Sequence, residues 1–176
     1  AMRRQIRVLY TGGTIGMRQS AQGLVPDAAL AATALQAFTE RYDFHWQLCQ
    51  PLIDSSAVTL ADWADWVARL RTDVPSYDGV LVLHGTDTLA YTANLLAFAL
   101  RGLDKPVVLT GAQRPFGADG SDAADNLATA VVAFDLPQLR QVVLAFDRCL
   151  WPAVGSRKIS TETAAGFGHA HAAPLA

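Results

Sequence analysis

Three stretches of the 176-residue chain set hydroxyl side chains beside glycines: Thr11-Gly12-Gly13-Thr14-Ile15-Gly16, His84-Gly85-Thr86-Asp87-Thr88 and Thr110-Gly111-Ala112-Gln113-Arg114-Pro115. Glycine lets the chain turn sharply and lets a ligand approach main-chain N–H groups, while a threonine hydroxyl donates, accepts or attacks. The combination suits acyl chemistry, in which a hydroxyl adds to a carbonyl carbon and backbone N–H groups hold the developing oxyanion. A threonine is a weak nucleophile, so a base is required. The four histidines, at 45, 84, 169 and 171, form no Ser-His-Asp pattern, and His84 is placed to pack or hydrogen-bond at a strand end. The remaining candidate is Lys158, one of two lysines; a partly desolvated lysine loses its proton near neutral pH. Lys105 lies in a turn before Pro106.

Taken singly, each piece has an ordinary explanation. Gly12-Gly13 after a strand makes a tight turn, and Gly-Gly-Thr-Ile-Gly fits neither the Walker A nor the dinucleotide pattern. Thr86 or Asp87 before an apolar helix serves as an N-cap, Asp54-Ser55-Ser56 makes a turn, and a lone lysine is a solvated cation. His169 and His171 supply two metal ligands, which is short of a site. The chemical case rests on their conjunction.

That conjunction depends on the elements between them. Short β-branched runs over 6–10, 44–49, 80–84, 107–110 and 142–146 alternate with segments of helical period, the pattern of a parallel sheet with helices on its faces. Trp63, Trp66, Val67 and Leu70 fall at i, i+3, i+4 and i+7, with Thr59 and Asp62 spaced as a capping pair at the start. Helices are also expected over 88–100, 27–39 and 122–134. The expected fold is α/β: a doubly wound, mostly parallel sheet in three flavodoxin- or Rossmann-like layers, one domain over residues 1–176. In such sheets ligands bind outside the carboxyl ends of the strands, where all three hydroxyl–glycine stretches fall.

Composition narrows the function classes. Fourteen Lys and Arg against 16 Asp and Glu leave a net charge of -2, no electrostatic footprint for nucleic acid. No run approaches the ~20 apolar residues of a membrane span, and Arg7 with the glycines at 12 and 13 interrupts any signal-peptide core. Cys49 and Cys149, 100 positions apart, are expected to be buried thiols in a reducing, cytoplasmic compartment.

Longer motifs extend these observations. They are Tyr-Thr-Gly-Gly-Thr-Ile-Gly-Met at 10–17, Ile-Asp-Ser-Ser at 53–56 with Asp62-Trp63 after it, Tyr-Asp-Gly-Val-Leu-Val-Leu-His-Gly-Thr-Asp-Thr-Leu-Ala-Tyr-Thr-Ala at 77–93, and Lys-Pro-Val-Val-Leu-Thr-Gly-Ala-Gln-Arg-Pro at 105–115. Ser121-Asp122 with Asn126-Leu127, and Lys158 followed nine residues later by Phe167, continue the register. In these motifs the chain resembles the bacterial-type L-asparaginases, closest to the type I cytoplasmic branch.

The resemblance implies hydrolysis of the side-chain amide of L-asparagine, and more weakly of L-glutamine, to the acid and ammonia without a cofactor. It implies Thr14 as nucleophile, and Thr86, Asp87 and Lys158 as the second threonine, acidic residue and lysine, with Lys158 tuning the Thr86 hydroxyl. Ser55 and Ser56 would hold the substrate α-carboxylate and Asp87 the α-ammonium, with Gly13, Gly85 and Ala112 completing the substrate site. Two departures accompany the match. Counting from the glycine motif, Leu24 stands where the family carries a hairpin tyrosine, and the second, C-terminal domain of long members is expected to be missing. A site closed by fewer elements is expected to bind substrate weakly, and a homo-oligomer, dimer or tetramer, is expected to replace lost contacts. Alternatives are a non-catalytic amino-acid binding module, an amidase preferring glutamine or another amide, a subunit of a tRNA-dependent amidotransferase, and a phosphate or nucleotide binder.

Overall fold

The computed structural model describes residues 2–49, 58–153, 156–158 and 167–169. The apolar runs become strands in which every residue is buried: β5 (Gly79–Leu83), β6 (Val107–Thr110) and β7 (Val142–Phe146). Strands covered on both faces need side chains that are apolar throughout, which is why these segments lack alternation. With β1 (Arg4–Tyr10) and β4 (Tyr42–Leu48) they form a parallel array, and β8 (Cys149–Pro152) adds an antiparallel edge, giving the order β4-β1-β5-β6-β7-β8.

Successive side chains along each strand feed two separate cores. Leu81 and Leu83 join Val8, Val108 and Val143 beneath α1 (Ala28–Ala34) and α4 (Ala123–Val132), whereas Val80 and Val82 join Leu9, Leu109 and Leu144 beneath α2 (Leu60–Asp73) and α3 (Leu89–Ala99). The result is the expected three-layer, doubly wound α/β arrangement. Among the described residues no helix is long and apolar enough to cross a membrane.

Some element boundaries differ from those expected. The helix expected over 27–39 ends at Ala34 and gives way to a 3-10 turn at Gln36–Phe38; Asp27 lies outside it as N-cap, accepting from the Ala29 and Leu30 N–H groups. Thr59 and Asp62 form the expected reciprocal capping box on α2. The helix expected over 122–134 ends at Val132, followed by a 3-10 turn at Ala133–Asp135. The strand expected over 44–49 runs instead from Tyr42 to Leu48. Cys49 is buried as expected, while Cys149 is only half-buried because it lies on the edge strand β8.

Two of three further pairings went unread in the sequence, and the first was expected only through the family resemblance. The hairpin of β2 (Met17–Ser20) and β3 (Gly23–Pro26) follows the first glycine stretch. The β7–β8 hairpin turns at Asp147 and Arg148, both at positive φ without a glycine to announce them. A small antiparallel pair joins β9 (Ser156–Lys158) to β10 (Phe167–His169), with Lys158 opposite Phe167 and β9 running beside α3.

Candidate active site

In chain order the five parallel strands stand 2-1-3-4-5 across the sheet, so the connections reverse direction between β1 and β5. A crevice opens at such a switch point, outside the carboxyl ends of the two strands. The first two hydroxyl–glycine stretches leave from those ends.

Thr14 opens a 3-10 turn, Thr14–Gly16, anchored from three sides. Ile15 is wholly buried in the core, the Asp27 N–H donates to the Gly16 carbonyl at 2.8 Å, and the Phe116 N–H donates to the Ile15 carbonyl at 3.3 Å. Gly13 precedes the turn at φ +95° and ψ 166°, a region essentially reserved for glycine. Its missing side chain also matters sterically: a Cβ there would stand 2.6 Å from the Gly85 nitrogen and 2.7 Å from the Gly85 Cα. The loops carrying Thr14 and Thr86 therefore meet backbone to backbone.

Gly13, Thr14, Gly85, Thr86 and Asp87 line one cavity of about 290 Å³, with Met17 and Leu24 of the β2–β3 hairpin as an apolar wall. The volume is near the lower end of those that take small molecules. Thr14 and Thr86 are half-buried and Asp87 is exposed, so hydroxyls and a carboxylate face a space open to solvent. Ala112 is buried in the third loop and does not line the cavity; beside it, Gly111 packs its Cα against the His84 carbonyl. Ser55 and Ser56 lie outside the described residues, and Lys158 is placed as the last residue of β9 beside α3.

Two of the hydroxyls at the strand ends are spent on structure. Thr11 Oγ1 donates to the Leu83 carbonyl at 2.8 Å, tying β1 to β5, and Thr110 Oγ1 donates to the Ala145 carbonyl at 2.7 Å, tying β6 to β7. His84 behaves as a strand-end histidine should: it is buried and hydrogen-bonded, and burial holds its imidazole down at about 4, against a smaller opposing effect of the Gly85 carbonyl. Tyr10, beneath the Thr14 turn, is likewise pushed up to about 12 by burial and then by the nearby Asp27 carboxylate.

The residues that hold the third loop entered the sequence reading only as matched motif positions, with no role assigned. The buried Asp122 carboxylate accepts from the Gln113 N–H at 3.0 Å and the Arg114 N–H at 3.2 Å. Asn126 Nδ2 bridges Asp122 Oδ2 at 3.2 Å and the Gly111 carbonyl at 2.9 Å. An Asp and an Asn four apart at the start of an otherwise apolar helix were the signal available. Met17 was also missed as lining, because its place depends on the hairpin folding back, whereas Leu24 was put at the site by the resemblance alone. A second cavity of about 340 Å³ lies at the opposite end of β6 and β7; Arg101, Lys105 and Arg140 line it, but among the described residues no hydroxyl or carboxylate side chain does.

Comparison with known proteins identifies the family. Residues 5–176 match the family model for the N-terminal asparaginase domain. The chain is 37% identical over 179 residues to L-asparaginase 1 of Escherichia coli K12, covering 98% of this chain and 53% of that protein. It is 35% identical over 198 residues to the 60 kDa lysophospholipase of Mus musculus, of which it covers 35%. The crystal structure of L-asparaginase I from Vibrio cholerae superposes with a TM-score of 0.86 at 35% identity, over 99% of this chain and 53% of that one. The thermostable L-asparaginase from Thermococcus kodakarensis does so with a TM-score of 0.86 at 27% identity, over 97% and 52%. The chain thus spans about half the length of these three asparaginases, and over that span it belongs to the N-terminal asparaginase domain family.

Proposed function

We propose that the cavity at the β1–β5 switch point hydrolyses the side-chain amide of L-asparagine through an acyl-threonine, with Thr14 as the nucleophile. The observation that carries this reading is the convergence of Thr14, Thr86 and Asp87 on one cavity, backed by glycines that bring the two loops into contact. The substrate is a zwitterion with a neutral amide, so it needs an anion for its ammonium, donors for its carboxylate and an attacking hydroxyl at the amide carbon. Asp87 supplies the anion, and the family resemblance supplies Ser55 and Ser56 as the donors.

In the first half-reaction the Thr14 oxygen bonds to the amide carbon as its proton leaves. The C–N bond then breaks, and ammonia departs carrying the transferred proton. In the second, water adds to the ester carbon, the C–O bond to Thr14 breaks, and the threonine hydroxyl and aspartate are regenerated. By the family resemblance, Lys158 tunes the Thr86 hydroxyl in this reading. Assembly of the chain into a homo-oligomer completes the proposal.

The test is ammonia release from asparagine and from glutamine by the parent chain, with Thr14→Ala and Thr86→Ala beside it. Release by the parent with loss in both variants supports the reading, and equal release in all three removes both threonines from the mechanism. Leu24 on the cavity wall favours one competing outcome, a binding module without turnover. Calorimetric binding of asparagine with no ammonia would establish it.

A further inference from the structure

We infer that His84 is a positioning residue, through which α2 and α3 fix the Gly85 carbonyl and with it the loop that carries Thr86 and Asp87. The inference rests on the amide-hydrolysis reading for its kinetic consequence, but the hydrogen-bond path stands on geometry. Trp63, in the first turn of α2, donates its indole N–H to Thr92 Oγ1 of α3 at 2.6 Å. Thr92 Oγ1 lies 3.1 Å from His84 Nε2, and His84 Nδ1 lies 2.6 Å from the Gly85 carbonyl oxygen.

Donor and acceptor identities leave one consistent assignment. An indole N–H only donates, so the Thr92 oxygen accepts from Trp63 and its own proton points to His84. A carbonyl oxygen only accepts, so His84 Nδ1 carries the ring proton and Nε2 offers the lone pair to Thr92. His84 and Thr92 are 1% and 0% exposed, so no water competes, and the Trp66 ring packs edge-on against the imidazole at 5.3 Å. One neutral tautomer, Nδ1-protonated, is selected by an indole on another element.

The end of that path matters because of what surrounds it. Gly13 abuts the Gly85 nitrogen and Cα, Gly111 abuts the His84 carbonyl, and the His84 N–H donates to the Thr110 carbonyl at 3.0 Å. Both neighbouring loops thus clamp the main chain up to Gly85, while glycine itself imposes little torsional preference on the next peptide. The imidazole supplies that preference by holding the Gly85 oxygen. Because the peptide is planar and trans, the Thr86 N–H then points away from the imidazole. The structural connection also runs to α2, which follows the Ser55–Ser56 segment in the chain, so one path links the element after the expected carboxylate-binding serines to the Thr86 loop.

A core histidine that merely fills space predicts a different mutational pattern. The amide nitrogen of asparagine at 84 reaches the place of Nδ1 and keeps the donor to Gly85, whereas glutamine reaches the place of Nε2 and loses it. Glutamine, the larger of the two, fills the core better. Steady-state ammonia release should therefore show His84→Asn within about threefold of the parental kcat and His84→Gln lower by about tenfold or more, even where the Tm of His84→Gln is the higher. Loss of kcat that follows size, with His84→Asn worse, or parental kcat in both, overturns the inference. Should both fail to fold, Thr92→Val against Thr92→Ser decides it: removing the hydroxyl should lower kcat severalfold and keeping it should not, and equal kcat contradicts the path. An inactive parent refutes the hydrolytic reading instead; asparagine affinity by calorimetry then replaces kcat as the readout in the same variants. Imidazole ¹⁵N NMR reads the tautomer independently of turnover, and an Nε2-protonated His84 overturns the inference.

Discussion

Replacing Gly13 with alanine tests the backbone contact that joins the two threonine loops. The residue sits at φ +95° and ψ 166°, where a non-glycine residue costs roughly 1 to 3 kcal/mol in backbone strain alone. The new Cβ would also stand 2.6 Å from the Gly85 nitrogen, where ordinary contacts begin at 3.4 Å. Neither neighbour is a flexible side-chain end that could swing aside, so the Thr14 and Thr86 loops must separate by about 0.8 Å. A displacement near 1 Å between reacting groups costs on the order of 10²-fold in rate. Gly13→Ala is therefore expected to lower kcat/KM for asparagine by about 10²-fold, well beyond what its drop in Tm would explain. The assay is ammonia release at a temperature where circular dichroism shows the variant folded. Parental kcat/KM in a folded variant would refute the claim that the two loops act as one site.

Three further outcomes follow from the same structure. Asp122→Asn keeps one oxygen for the Gln113 and Arg114 N–H groups but sets an amide N–H₂ against the Asn126 Nδ2 donor, and should cost about 1 to 3 kcal/mol, read as a fall in Tm of roughly 2 to 12 °C; an unchanged Tm would deny the carboxylate its role in holding the third loop. Leu24→Tyr places a phenol on the cavity wall where the resemblance expects one and should raise kcat by about tenfold or more, whereas an unchanged or lower kcat would show that the hairpin does not bring residue 24 to the reacting groups. The imidazole of His84, held at about 4 in the folded chain against about 6.5 when exposed, binds its proton more readily after unfolding. Its contribution is thus present above pH 6.5 and lost as pH falls from 6.5 to 4, by up to about 3 kcal/mol. Urea unfolding of the parent and His84→Asn across that window should show a steeper loss in the parent, and parallel curves would contradict it.

The central sheet was legible because burial on both faces demands unbroken apolar runs, and β6 and β7 fall where those runs begin and end. Helix α2 was legible from its period and its capping pair. The hairpins left no such trace: four-residue strands carry too little periodicity, so β2–β3 was expected only through the resemblance, and the β7–β8 turn places Asp147 and Arg148 at positive φ where glycine or asparagine would be the usual signal. At the site, the glycine–threonine loops could be read because glycine marks close backbone approach, and Gly13 bears this out against Gly85. Which hydroxyls face the cavity could not be read from composition, and only the resemblance singled out Thr14 and Thr86. Thr11 and Thr110 look like Thr14 and Thr86 in composition, and only the strand register shows that they bond to the carbonyls of Leu83 and Ala145. The clamp of Asp122 and Asn126 was hidden for the same reason, since polar partners across a loop leave no periodic trace.

The most direct test of the acyl-threonine is to mix the parent chain with asparagine, quench in acid during turnover and map the peptides by mass spectrometry. An aspartyl ester on the peptide containing Thr14, absent in Thr14→Ala, is the expected result. Ammonia release accompanied by an ester on Thr86, or by no ester on either threonine, would contradict the account.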